Sequence, residues 1–144
     1  MGLRAELRID SRVGEITRAR EWLIGHARTE GFSEKEVYKF GLAMSEACAN
    51  IIKHAYGGQP GNPIDLRLVI NPRSLILAIE DRGEKFDLAG YAPPDLTEPH
   101  EGGYGVFIIR SVMDEVDYDT SGQRGTILTL VKRRSKPEPE DSVD

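Results

Sequence analysis

Residues 33–56 read SEKEVYKFGLAMSEACANIIKHAY, and the spacing of their apolar side chains predicts one amphipathic helix. Ser33 and Glu36 have the S-x-x-E spacing of a capping box, which marks a helix start. Gly57 and Gly58 follow directly and are expected to end the helix. The apolar positions recur every three or four residues and therefore share one helix face: Val37, Phe40, Met44, Ala47, Ile51 and Ala55.

Shorter patterns on either side of this helix indicate the remaining elements. Residues 3–9 alternate apolar with charged side chains, as in a strand with one buried face. Further helices are predicted between Val13 and Ala27 and over 106–113, and further strands at 64–70, 75–79, 115–120 and 126–132. Asn71-Pro72-Arg73-Ser74 is a short turn that should pair its two strands antiparallel. This order predicts an α+β fold, a two-layer sandwich whose mixed, mostly antiparallel sheet is covered on one face by three helices.

The length and composition indicate a single globular domain followed by an acidic tail. A chain of 144 residues, with 39% apolar and 30% charged residues, is long enough for one sizeable core. From Ser135 onward one lysine stands against four acidic residues, and no apolar pattern continues. We therefore predict a domain over 1–133 and a disordered tail over 134–144.

Net charge and cysteine content narrow the class of protein. The net charge of −5, most of it in the tail, gives no electrostatic drive toward nucleic acid or anionic membranes. Cys48 is the only cysteine, so no internal disulfide is expected. The charged N-terminus lacks the pattern of a signal peptide, and no apolar run is long enough to span a membrane. We expect a cytoplasmic protein that binds neither nucleic acid nor membrane.

A polar stripe runs along the predicted helix of residues 33–56. Glu46, Asn50 and His54 are spaced by four residues and so lie on one side of the helix. The side-chain oxygen of Asn50 suits Mg²⁺, which keeps most of its waters and takes few protein ligands. Glu46 is placed to orient or deprotonate a nucleophile. Taken alone, such a stripe is more often a solvated helix face.

Two glycine-containing segments are each compatible with ligand binding. Asp81-Arg82-Gly83 follows an apolar strand, where a carboxylate can accept a hydrogen bond from an exocyclic amine such as that of adenine. Gly102-Gly103-Tyr104-Gly105 precedes a helix, and backbone N–H groups at a helix N-terminus bind anions such as phosphate. The alternatives are an ordinary turn at Asp81 and a hinge for the long Pro-containing loop between Gly83 and Gly102.

In this order, the segments resemble the GHKL ATPase superfamily over about residues 10–133. The motifs are LAMSEACANIIKHAY (42–56), IEDRGEKFD (79–87), EGGYGVFIIRSVMDEVDY (101–118) and GTILTLVK (125–132). Within the superfamily, the chain looks most like the anti-sigma-factor serine kinases of bacterial partner-switching systems. The resemblance implies a Bergerat ATP-binding fold. It also implies a protein serine/threonine kinase that phosphorylates an anti-sigma-factor antagonist and sequesters a sigma factor.

The resemblance assigns roles to individual residues. It implies that Glu46 is the catalytic general base, that Asn50 is the Mg²⁺ ligand and that Asp81 contacts adenine, with ATP or ADP and Mg²⁺ as the bound groups. It further implies nucleotide-binding roles for His54, Gly83, Gly103, Gly105 and Thr126, and a weaker contact of Arg20 with a protein partner. His54 is equally well explained as a histidine stabilised by the dipole near a helix C-terminus. A homodimer is also compatible with the family.

One departure from the family pattern concerns positive charge near the phosphates. Lys85 stands where the D-x-G-x-G motif has its second glycine, and no Lys or Arg occurs between Lys85 and Arg110. Phosphoryl transfer commonly uses a cationic group beside Mg²⁺ to stabilise the developing charge. The sequence therefore leaves an alternative open, a nucleotide-gated protein-binding module with little or no kinase turnover. A methyltransferase is disfavoured, because those enzymes need a mainly parallel sheet.

Overall fold

The computed structural model describes residues 2–87 and 104–135, which form five strands and three α-helices. In chain order these are β1 (Leu3–Asp10), α1 (Val13–Thr29), α2 (Glu34–Asn50), β2 (Pro63–Ile70), β3 (Ser74–Glu80), α3 (Gly105–Val112), β4 (Glu115–Asp119) and β5 (Ile127–Arg133). The predicted capping box is present: Glu36 N donates to Ser33 Oγ at 3.2 Å, and Ser33 N donates to Glu36 Oε1 at 2.8 Å.

The sheet is antiparallel, with the strand order β1-β2-β3-β5-β4. The predicted hairpin of β2 and β3 is confirmed by a register that pairs Leu68 with Leu77. In its turn, Asn71 Oδ1 accepts hydrogen bonds of 2.8 Å from Arg73 N and Ser74 N. All four pairings of the described strands are antiparallel, so the sheet lacks the parallel pair that a mixed sheet would contain.

The helices pack on one face of the sheet, as predicted for a two-layer sandwich. Alternate residues of each strand point into this layer, and Leu66, Leu77 and Ile79 are at most 1% exposed. Phe40 and Met44 of α2 meet them with no exposed surface. Within residues 2–87 and 104–135, no helix combines the length and apolar character that crossing a bilayer requires.

The end of α2 differs from the single helix that the sequence predicted. The α-helix stops at Asn50, and Ile51–Ala55 form a π-helical turn. Ala55 O in this turn accepts a hydrogen bond of 2.9 Å from Glu84 N. Turns of π-helix are rare and frequently lie at functional sites. This one ties the end of α2 to the segment that follows β3.

The chain beyond β5 remains attached to the folded body at Arg134 and Ser135. The Arg134 guanidinium donates hydrogen bonds of 2.9–3.0 Å to three backbone oxygens, those of Glu30, Gly31 and Pro72. Ser135 N and Ser135 Oγ donate to Glu36 Oε2 at 2.5 and 2.7 Å. These contacts involve the two residues that directly follow the predicted boundary at 133. Residues 136–144 lie outside the described residues, so the disorder proposed for the tail stays a prediction.

Glu36 joins this attachment to the capping box, and we expect its charge to stabilise the fold. The side chain is 4% exposed. Burial alone would raise the pKa of its carboxyl, but hydrogen bonds from Ser135 and Ser33 outweigh burial and lower the pKa to about 2. Because the folded-state pKa is lowered, the stabilisation is complete above the ordinary value of 4.5 and is lost as the pH falls toward about 2.

Glu36→Gln should therefore lower the free energy of unfolding by about 1–3 kcal/mol at pH 7, because the charged acceptor of several hydrogen bonds is lost. The deficit should shrink between pH 4.5 and about 2, where the wild-type carboxyl also loses its charge. Urea unfolding at a series of pH values measures both effects. Glu34→Gln, an exposed carboxyl of the same helical turn, is the control and should cost less. A Glu36→Gln deficit that does not vary with pH would contradict this account.

Candidate active site

A cavity of about 490 Å³ is lined by the end of α2, the ends of β3 and β5 and the start of α3. Polar groups reach it from three of these elements: Asn50 at the end of α2, Asp81 after β3 and Thr126 before β5. Its apolar lining includes Ala47, Ile51, Val106 and Leu128. A mainly apolar cavity of roughly 300–1,000 Å³ with a few converging polar groups is the usual form of a small-molecule site.

Asp81 is a buried carboxylate that the surrounding backbone holds in place. It is 3% exposed, and burial raises the pKa of its carboxyl, although hydrogen bonds from the backbone of Gly83 and Thr126 oppose the shift. The Gly83 N to Asp81 Oδ1 distance is 3.0 Å, and Asp81 N donates to Thr126 O at 3.1 Å. Asp81 is thus preorganised to accept a hydrogen bond from an amine of a ligand.

Close contacts require glycine at position 83, against backbone, and favour it at position 105, against the end of the Asn50 side chain. A Cβ at position 83 would lie 2.2 Å from Ala55 O in the π-helical turn, and a Cβ at position 105 would lie 2.5 Å from Asn50 Nδ2. Both distances are too short for a real Cβ contact. Gly83 therefore lets the segment after β3 approach the π-helical turn, and Gly105 lets the start of α3 approach the Asn50 amide. Gly105 lines the cavity, whereas Gly83 packs beside it.

Two of the three residues in the predicted polar stripe line the cavity. Asn50 and His54 line it, so the structure brings them together with Asp81, Gly105 and Thr126. Glu46 is partly buried and is not among the described residues that line the cavity. It lies one helical turn before Asn50, and residues four apart in an α-helix share a side. Glu46 is therefore next to the cavity on the side of Asn50.

Gly103 and Arg20 were also predicted to have a functional role. Gly103 lies outside the described residues. Arg20 is on α1, and its Nη1 donates to Ser45 Oγ on α2 at 3.1 Å. This contact places Arg20 at the α1–α2 junction rather than in the cavity, and its role as a partner contact stays a prediction.

Phe86 and Tyr118 also line the cavity, although the sequence analysis assigned them no role. Their rings stack with centroids 4.3 Å apart and an angle of 17° between the ring planes. Phe86 N donates to Thr126 Oγ1 at 3.0 Å. The sequence contained one signal for this pair, the aromatic residue Phe86 shortly after Asp-x-Gly. Tyr118 could not be linked to it, because it belongs to a strand that is distant in the chain.

Lys85 is the only lysine or arginine among the described residues that line the cavity. The residues on either side of it are both fixed, Glu84 N by Ala55 O at 2.9 Å and Phe86 N by Thr126 Oγ1 at 3.0 Å. Hydrogen bonds from Ser121 and, to a smaller extent, the charge of Lys85 lower the pKa of Asp119. The cavity lining therefore includes one cationic side chain, Lys85, beside the carboxylates of Asp81, Glu84 and Asp87. No further Lys or Arg follows Lys85 in the sequence until Arg110.

The sequence pattern of the histidine kinase-like ATPase domain matches residues 9–132, which is most of the chain. The chain belongs to the histidine kinase-like ATPase family. Curated relatives of this ATPase carry the name serine-protein kinase RsbW. The protein from Oceanobacillus iheyensis is 31% identical over 96% of this chain and 89% of its own length. The protein from Listeria monocytogenes (strain EGD-e) is 31% identical over 95% and 91%, and that from Bacillus subtilis is 28% identical over 77% and 74%.

A solved structure shows the same fold. The crystal structure of the RsbU and RsbW domains of Rv1364c from Mycobacterium tuberculosis aligns with a TM-score of 0.70 at 18% identity. The alignment covers 94% of this chain and 33% of that longer one. The family and fold predicted from the four motifs are confirmed. This ATPase domain is a GHKL-type ATP-binding protein serine/threonine kinase of the anti-sigma-factor kinase family.

Proposed function

We propose that this kinase phosphorylates a serine or threonine of an anti-sigma-factor antagonist protein and sequesters a sigma factor. The main support is that a single cavity contains a buried acceptor at Asp81, an amide oxygen at Asn50 and a helix N-terminus at Gly105. Those groups suit the amine, the metal and the phosphates of Mg-ATP, respectively. A cytoplasmic location and a contact between Arg20 and a protein partner belong to the same proposal.

Asp81 and Thr126 form the end of the cavity that suits the base. The Asp81 carboxylate accepts a hydrogen bond from the exocyclic amine of adenine. Gly83 lets the segment after β3 pack closely against the π-helical turn and so shapes this end of the cavity. Thr126 is 6% exposed and completes the wall. A nucleobase that lacks an amine at this position would leave the buried Asp81 carboxylate without a hydrogen bond from the ligand, and this loss would weaken binding.

Asn50 and the start of α3 form the end that suits the phosphates. Backbone N–H groups at a helix N-terminus attract anions, and Gly105 keeps that N-terminus against Asn50. Among residues 2–87 and 104–135, no three His, Cys, Asp or Glu side chains are grouped to bind a metal ion. A lone oxygen ligand from Asn50 fits Mg²⁺, because this ion keeps several waters and takes phosphate oxygens as ligands. When bound, Mg²⁺ neutralises charge that develops on the phosphates. Gly103 and His54 are assigned to the same end.

Glu46 is assigned as the general base that accepts the proton of the substrate hydroxyl. Its place one helical turn before Asn50 supports this assignment, because it puts Glu46 next to the proposed phosphate end of the cavity. Lys85 is the described cation available to the nucleotide. The arrangement therefore has a base, a metal ligand and one positive charge, which are the parts that phosphoryl transfer uses.

Incubation with Mg-ATP labelled at the γ-phosphate and with candidate antagonist proteins tests this function. We expect label on a serine or threonine of one antagonist, and pull-down of a sigma factor when that antagonist is absent. Tight ATP binding with no transfer to any antagonist would instead support the alternative, a nucleotide-gated binding module.

The outer face of the sheet, opposite the helices, favours a homodimer as part of this proposal. At its centre lie apolar side chains that are only partly buried: Val69, Ile76, Ala78, Ile127 and Val131. The β1 edge of this face carries Arg4, Glu6 and Arg8, and the β4 edge carries three exposed carboxylates, Glu115, Asp117 and Asp119. The register places Arg4 and Glu115 at opposite ends of one cross-strand row.

A two-fold axis parallel to the strands would place the β1 edge of one copy over the β4 edge of the other. The apolar centres then pack together, as in a β-sandwich, and Arg4 of each copy lies over Glu115 of the other. Arg4→Glu and Glu115→Lys should each weaken the dimer, because each places like charges at both contacts between position 4 of one copy and position 115 of the other. An equimolar mixture of the two variants should form a heterodimer, because both contacts are again complementary. Sedimentation velocity measures these states, and single variants that dimerise like the wild type would refute this interface.

A further inference from the structure

We propose that Phe86, stacked on Tyr118, is the wall against which the nucleobase packs, so that this aromatic pair determines the affinity of the site for the base. The proposal rests on the proposed function, because it assumes that the base lies at the Asp81 end of the cavity. Both rings line the cavity, and their planes are nearly parallel, with centroids 4.3 Å apart. Stacking covers one face of each ring, and the opposite face of Phe86 is a flat apolar surface, which is the shape that a purine ring packs on.

Thr126 fixes this wall relative to Asp81. Thr126 O accepts the hydrogen bond of Asp81 N at 3.1 Å, and Thr126 Oγ1 accepts that of Phe86 N at 3.0 Å. One residue, 6% exposed, thus positions both the carboxylate that recognises the amine and the ring that contacts the face of the base. Because these groups are already held in place, the ligand does not bear the entropic cost of ordering them.

The segment around Phe86 is anchored on both sides of the cavity. Glu84 N donates a hydrogen bond to Ala55 O in the π-helical turn. Phe86 N donates one to Thr126 Oγ1, and the Phe86 ring stacks on Tyr118 of β4. Residues 84–86 therefore bridge the helical layer and the sheet beside the cavity. The competing explanation is structural: the stack only fills space between β4 and the segment after β3.

Equilibrium binding of three probes separates these explanations. Kd is measured for Mg-ATP, Mg-ADP and inorganic triphosphate, the last by displacement of ATP. Phe86→Ala should raise the Kd of ATP and of ADP by the same factor, about tenfold, as expected for loss of stacking on one base. The Kd of triphosphate, which has no base, should stay within about twofold. Phe86→Tyr keeps the flat ring and should bind all three probes like the wild type.

Tyr38→Ala is the matched control, because Tyr38 is an aromatic residue on α2 that is 68% exposed. It should leave every Kd unchanged. If Phe86→Ala does not fold, as judged by thermal unfolding without ligand, Phe86→Leu replaces it and should still raise the Kd of ATP and ADP severalfold. Equal weakening of all three probes, or no weakening of ATP and ADP, would overturn the proposal. A wild-type protein that binds no ATP would instead refute the assignment of the nucleotide site.

Discussion

Glu46→Gln is expected to lower kcat for phosphoryl transfer to the antagonist by about 10²- to 10⁴-fold, the range that general-base catalysis contributes. The change removes the proton acceptor but keeps the size and shape of the side chain. Glu46 is not among the described residues that line the cavity, so the Kd of Mg-ATP should change by less than about threefold. Single-turnover transfer of labelled phosphate, with ATP binding measured in parallel, gives both quantities.

Glu34→Gln provides the control for this experiment. Glu34 is an exposed carboxylate at the first turn of the same helix, paired with Arg28 at 2.7 Å, and α2 ends at the cavity with Asn50. It should leave both kcat and Kd near wild-type values. If Glu46→Gln weakens ATP binding as strongly as it slows transfer, Glu46 shapes the nucleotide site instead of accepting the proton. If kcat is unchanged, another group is the base.

Local sequence patterns predicted most of the fold, because the signals they rely on act within a few residues. The capping box at Ser33, the hairpin turn at Asn71 and the period-two strands each depend on neighbours in the chain, and all are present. The π-helical turn was not predicted. Ala55 O in this turn accepts a hydrogen bond from Glu84 N, so one contact of the turn comes from a segment that is remote in sequence.

Part of the site was also predictable from the sequence. The order of the sequence motifs predicted a nucleotide site. Four residues from these motifs line one cavity in the structure: Asn50, Asp81, Gly105 and Thr126. The Phe86–Tyr118 stack joins a loop to an edge strand, and no periodicity encodes that contact. The contacts of the two residues after the predicted boundary at 133 were missed for a related reason. Arg134 and Ser135 are polar, as expected for a disordered tail, but they form hydrogen bonds with Pro72 and Glu36, which are distant in the chain.

Asp81→Asn is expected to raise the Kd of both ATP and ADP by about 10- to 100-fold. A hydrogen bond to a charged group contributes about 1.5–3 kcal/mol, and the amide that replaces the carboxylate carries no charge and presents one acceptor oxygen instead of two. The variant keeps the shape of a side chain that is 3% exposed, so the cavity should persist. Calorimetric titration with each nucleotide measures the loss, which should be the same for ATP and ADP because the two share their base.

The pH dependence supplies a second, independent signature of Asp81. Burial raises the pKa of its carboxyl, so protonation begins at a higher pH than for an ordinary aspartate and removes the charged acceptor. The Kd of Asp81→Asn divided by that of the wild type should therefore shrink as the pH is lowered, and this ratio cancels the titration of the nucleotide itself. A ratio that stays constant down to acidic pH, or a loss for ATP that ADP does not share, would place the functional contact of Asp81 away from the base.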